Sequence, residues 1–180
     1  IACNTAHHWH AELRAVSEVP VLHIADAAMQ ALTFCVSGPC SVGLLGTEGT
    51  IRSGFYLKYF EPLSLRCLAP SVTAQRELVD RGIALVKCGA LGEARACLDT
   101  TARQLVDGGA DVLLLGCTEI GVVLHDAEVP IVDANRAFAQ YCARRWRGAC
   151  TTLLSHPMPA LPPAVSLQNY PQENTDDFHL

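Results

Sequence analysis

Two of the nine cysteines, Cys3 and Cys117, have neighbours suited to chemistry. Each closes an apolar run, and each is followed by amide, hydroxyl or carboxylate side chains: Cys3-Asn4-Thr5 and Cys117-Thr118-Glu119. A pair of thiols can invert a weakly acidic carbon centre. One takes a proton from one face as thiolate, and the other returns a proton to the opposite face as thiol. A free thiol titrates near about 8.5, and a helix N-terminus lowers that value. Both cysteines are expected where a strand hands over to a helix, so backbone N–H groups are expected to favour the thiolate. Asn4, Thr5 and Thr118 are then placed to bind a substrate carboxylate and to stabilise enolate-like charge.

The remaining cysteines give a different signal. Cys35, Cys67, Cys88, Cys97, Cys142 and Cys150 read as small buried hydrophobes. The total of nine is odd, the spacing is irregular, and no Cys-x-x-Cys pair occurs. That excludes a zinc ribbon or a thioredoxin motif and points to a reduced, cytoplasmic protein rather than a disulfide scaffold. His7-His8-x-His10 invites a metal reading. On a helix, however, neighbouring residues point about 100° apart and only His7 and His10 approach one face, so no metal site is expected. His23 and His125 read as core-edge or surface residues.

The elements that must position these residues follow from the apolar pattern. Half of the residues are hydrophobic, and the net charge is −5. No basic stripe and no apolar run of membrane-spanning length are present, so neither nucleic acid nor membrane is an expected partner. Apolar runs at Ile1–Cys3, Val19–Ile24, Ser41–Leu45, Leu63–Leu68, Asp111–Leu115 and Val129–Val132 read as strands. Helical patterns lie between them, at about 6–17, from Asp26 through Leu32, and at about 50–60, 73–87, 92–107 and 135–146. Strands without polar alternation imply a parallel sheet covered on both faces. The predicted class is α/β, and ligands in such folds sit at the carboxyl ends of the strands. Cys3, Thr47 and Cys117 all fall at such ends.

Several segments in the same order resemble the aspartate/glutamate racemase family. Cys3-Asn4-Thr5-Ala6-His7 and Gly116-Cys117-Thr118-Glu119-Ile120 look like its two cysteine motifs. Val42-Gly43-Leu44-Leu45-Gly46-Thr47-Glu48-Gly49-Thr50 resembles its central strand and threonine-rich loop. Pro20-Val21-Leu22-His23-Ile24-Ala25-Asp26 and Pro130-Ile131-Val132-Asp133 match in order as well. The resemblance covers roughly Ile1 to Arg147. It implies two pseudo-symmetric α/β lobes of parallel sheet flanked by helices, a dimer, and racemisation of an amino acid without a cofactor such as pyridoxal phosphate. It implies Cys3 and Cys117 as the acid/base pair. Asn4, Thr5, Thr118 and Glu119 would bind substrate, with Thr47 beside the cleft. Lys87, in a Lys-x-Gly context, would bind the substrate's side-chain carboxylate.

The first lobe is expected to be incomplete, because the upstream strand, Gly-rich loop and arginine of the family have no counterpart and the chain begins at Ile1. The expected organisation is 1–38 for the rest of the first lobe, 39–133 for the second, 134–150 for a returning helix, and 151–180 for a Pro-rich disordered tail. The leading expectation is racemisation of aspartate or glutamate. A related isomerase, a decarboxylase and an inactive truncated binding module are the alternatives.

Overall fold

A computed structural model describes residues 1–36 and 38–153, with side chains described as far as Gly148. Four strands form one parallel sheet: β1 (Ser41–Gly46), β2 (Arg66–Leu68), β3 (Val112–Gly116) and β4 (Ile131–Asp133). Their order is β2-β1-β3-β4. Val42 pairs with Val112, and the register runs on to Gly46 opposite Gly116. The α/β class expected from the sequence is therefore the one observed.

Side chains alternate across the sheet although nearly all are apolar. Val42, Leu44, Val112, Leu114 and Val132 face a core built with Ile24, Ala28, Leu32, Tyr56 and Phe60. Leu45, Leu113 and Leu115 face a second core with Val79, Ile83, Leu98 and Leu105. Each fully buried leucine contributes about 1.5–3 kcal/mol of apolar transfer. Period-two geometry thus splits a continuous apolar run into two cores, as in a sheet covered on both faces. Residues Ile1–Trp146 form one compact unit.

A 3-10 turn at Thr5–Trp9 leads into α1 (His10–Val16), and α2 spans Ile24–Cys35. After β1 come α3 (Glu48–Ser53) and α4 (Phe55–Phe60). The sequence pattern suggested a single helix here. Gly54 interrupts it with φ of 63°, a left-handed conformation that glycine adopts at little cost. After β2, α5 (Val72–Ala74), a π-helical turn (Gln75–Asp80) and α6 (Arg81–Lys87) follow without a break. α7 spans Leu91–Asp107 and α8 spans Ile120–Val123. α9 (Ala134–Leu153) begins where Asp133 Oδ1 accepts bonds from the N–H groups of Asn135 and Arg136.

Two expected strands do not form. Ile1–Cys3 pairs with no strand of the sheet. Val19–Ile24 also lies outside it: Val19 is exposed, Pro20 has no N–H to donate, and the carbonyl of Val21 accepts a 2.8 Å bond from His10 Nε2. The following helix starts earlier than expected, at Ile24. His23 caps it through Nδ1, which accepts from the Ala25 N–H at 3.1 Å. The expected Pro-rich tail lies outside the described residues. Among the described residues, no helix is long and apolar enough to cross a membrane.

Candidate functional site

The in-register pair Gly46 and Gly116 brings the next residues, Thr47 and Cys117, to the carboxyl ends of adjacent strands. Two side-chain groups assemble there. The first is a ring of hydroxyls. Thr5 Oγ1 lies 2.8 Å from Thr47 Oγ1 and 3.0 Å from Thr50 Oγ1, and the last two are 3.1 Å apart. Thr47 also caps α3, accepting the Thr50 N–H at 3.1 Å. The ring ties the N-terminal segment to the end of β1. Gly49 permits this approach, since a Cβ there would sit 3.0 Å from Thr5 Cγ2.

Asn4 precedes this ring and is buried. Its Oδ1 accepts a 2.6 Å bond from the Tyr56 hydroxyl, while its Nδ2 has no partner among the described residues. Cys3 is exposed.

The second group surrounds Cys117, which is buried. Its thiol donates to Glu119 Oε2 at 3.0 Å, and the Thr118 hydroxyl donates to the same oxygen at 2.8 Å. Lys87 Nζ, at the end of α6, lies 3.8 Å from Glu119 Oε1. Thus Lys87, Cys117, Thr118 and Glu119 meet at one point, as do Thr5 and Thr47 at the other.

The electrostatics of Cys117 differ from expectation. Burial, and then the bond to the Glu119 carboxylate, push the thiol up to about 12. The expected lowering by a helix N-terminus is outweighed. α8 is a single turn beginning three residues further on, and a carboxylate stands where the thiolate charge would form. Glu119 is shifted down from the usual carboxylate range. Its desolvation acts upward but is outweighed by the Cys117 and Thr118 hydrogen bonds and by Lys87.

Sequence reasoning missed Thr50, Tyr56 and Gln75. Thr50 lies inside the threonine-rich loop and could have been found by its cap spacing from Thr47. Nothing local marks Tyr56, which reaches Asn4, or the reach of Gln75 to the Gly46 carbonyl, since both partners are distant in sequence. The histidines also group differently. The His7 ring centroid is 5.9 Å from that of His10 and 4.7 Å from that of His23, and the His10 and His23 centroids are 4.5 Å apart. Burial leads in lowering His23 to about 4 and also lowers His7, favouring the neutral ring in each. Among the described residues, no group of three His, Cys, Asp or Glu side chains is arranged to hold a metal ion. A cavity of about 360 Å³, lined by residues including Arg95, Arg103, Asp126 and Glu128, includes neither site cysteine.

Comparison with known proteins identifies the family. The chain is 27% identical over 142 residues to a broad specificity amino-acid racemase of Bacillus subtilis, covering 78% of this chain and 60% of that protein. It is 32% identical over 161 residues to a glutamate racemase of Geobacter metallireducens, covering 82% and 56%. The aspartate racemase structure from Picrophilus torridus superposes with a TM-score of 0.69 at 27% identity, covering 80% and 59%. The chain therefore spans about six-tenths of the length of these relatives. The family model for Asp/Glu/hydantoin racemases matches residues 1–142, which include both cysteine motifs, the hydroxyl ring and all four strands. On that match the chain belongs to the Asp/Glu/hydantoin racemase family.

Proposed function

We propose that this chain belongs to an amino-acid racemase acting on an acidic amino acid, aspartate first and glutamate second, by two-base proton transfer. The observation that carries the proposal is the grouping of Cys117, Thr118, Glu119 and Lys87 beside Thr47 at the sheet's carboxyl edge. In the proposed reaction Cys3, as thiolate, removes the Cα proton. The electron pair left on Cα spreads into the α-carboxylate. Cys117, which holds its proton at rest, delivers it to the opposite face and becomes the thiolate. The enantiomer is released, and the reverse direction exchanges the two roles. The thiols carry both transfers and no cofactor is invoked.

Hydroxyls of Thr5, Thr47 and Thr118, with the amide of Asn4, would hold the α-carboxylate and amine. Lys87 is mostly exposed and sits at the edge of the group. Its ammonium is positioned to exchange the Glu119 carboxylate for the side-chain carboxylate of the substrate. The proposal extends to a pair of copies in a reducing compartment, which sedimentation under thiol-protecting conditions would check.

The test is deuterium incorporation at Cα during incubation with L-aspartate in D₂O, beside Cys3→Ala and Cys117→Ala. The proposal expects D-aspartate labelled at Cα from the parent chain and no racemisation by either variant. A folded parent chain that incorporates no deuterium from aspartate or glutamate would overturn it. A covalent substrate adduct on either cysteine would instead favour the related isomerase chemistry.

A further inference from the structure

Gln75 opens the π-helical turn and is only 6% exposed. Its Nε2 donates to the Gly46 carbonyl at 2.9 Å and to Asp80 Oδ1 at 2.9 Å. Both partners are acceptors, so the orientation of the amide is fixed by chemistry. The same Asp80 oxygen accepts from the Glu48 N–H at 3.3 Å. Gly46 and Glu48 are the two residues flanking Thr47. Gln75 and Asp80 therefore grip the backbone on either side of the residue whose hydroxyl enters the threonine ring.

The π turn makes this grip possible. In an α-helix, residues five apart point about 140° away from each other, at 3.6 residues per turn. Asp80 would then face away from the strand end that Gln75 reaches. Hydrogen bonds from i to i+5 widen the turn and bring such a pair onto one side. The wide turn spans Gln75–Asp80, the two residues that make the contact. Gln75 Oε1 has no partner among the described residues.

We propose that Gln75, aligned with Asp80 by the π turn, is a positioning residue that fixes Thr47 for substrate binding. The proposal rests on the racemase reading above. Its effect passes through the backbone of Thr47 and not through contact with the reacting atoms.

The test uses the full chain with Gln75→Met, Gln75→Glu and Asp80→Ala, read by racemisation kinetics and by amide-proton exchange. Gln75→Met keeps the length and loses the donor. It should raise KM about tenfold, equivalent to one lost bond of ~1.4 kcal/mol, with a smaller change in kcat. Exchange at the Glu48 and Thr50 amides should accelerate by a similar factor, while Leu113–Leu115 stay protected. Gln75→Glu should show the same defect at neutral pH and recover as the new carboxyl, which faces the Asp80 carboxylate, is protonated. Gln75→Met and Asp80→Ala should be non-additive in KM.

An unchanged KM with unchanged exchange at Glu48 and Thr50 would overturn the proposal. So would a loss of protection spread evenly over β1 and β3, which would mark a general structural role. Absence of racemisation by the parent chain would sink the racemase reading. The exchange measurement alone would then decide whether Gln75 holds Thr47.

Discussion

The thiol of Cys117 donates its proton to the carboxylate of Glu119, two residues along, at 3.0 Å. Burial and this bond together favour the thiol at a position where a helix N-terminus was expected to favour the thiolate. Burial leads in raising the thiol, and the Glu119 bond and charge add to it. Glu119→Gln keeps the size and removes the charge. The midpoint for alkylation of Cys117 by iodoacetamide should move to lower pH in this variant, while Cys3, which is exposed, should react before Cys117 throughout. A midpoint that stays in place would show that burial acts alone.

Alkaline pH should destabilise the fold. Cys117 is pushed up to about 12 and Cys67 to about 11, both by burial first. Above the unfolded thiol value of about 8.5, the unfolded chain has lost protons that the folded chain keeps. Stability therefore falls as pH rises through that window. Urea midpoints should decline between about pH 8.5 and 11, with a shallower slope in Cys117→Ala. Identical slopes would contradict the assignment.

Acid should act through the histidine cluster. His23 is lowered to about 4 and His7 is lowered as well, burial being the first cause for each. Below the unfolded value of about 6.5 the unfolded chain gains protons that these rings refuse. Stability is complete above that value and falls as pH drops toward 4. His23→Asn retains a side chain able to cap α2 and removes one titrating ring. It should be less stable at neutral pH because ring packing is lost, but its loss on acidification should be smaller. Thermal midpoints across this range would check it.

The threonine ring makes a separate prediction. Thr50 is 1% exposed, and its hydroxyl meets those of Thr5 and Thr47. Thr50→Val preserves shape and leaves the 2.8 Å contact between Thr5 and Thr47 in place. The expected cost is about 1 kcal/mol in unfolding free energy, as for one net hydrogen bond. Chemical denaturation would measure it, and an unchanged value would mean that the third hydroxyl is dispensable to the fold.

The strands around Leu44 and Leu114 were legible because a continuous apolar run bounded by Gly and Asp has few other uses. Cys117, Thr118 and Thr47 could be placed for the same reason, since a parallel strand hands its next residue to the sheet's functional edge. Val19–Ile24 misled, because six apolar-looking residues read alike whether or not a neighbouring strand is there to pair with them. The His10 bond to the Val21 carbonyl, which occupies that backbone, is a tertiary fact. The break at Gly54 could be suspected from its residue type but not fixed without knowing its φ. The π turn left no periodic trace, since one extra residue per turn over Gln75–Asp80 hardly disturbs the apolar spacing. The resting state of Cys117 was invisible for a further reason: it depends on burial and on which way the Glu119 side chain turns.

The central ladder of the sheet also governs how fast the chain can organise itself. Ser41 N–H bonds the side chain of Asp111 seventy residues away, and β1 gains its main partner, β3, only across that gap. During synthesis β1 must wait for the ribosome to deliver β3 before its backbone groups on that side are paired. Closing so long a loop delays the reward for the entropy spent, which places the chain among slow folders. Until then a fully apolar strand edge stands open, and newly made chains are at their most prone to associate with one another.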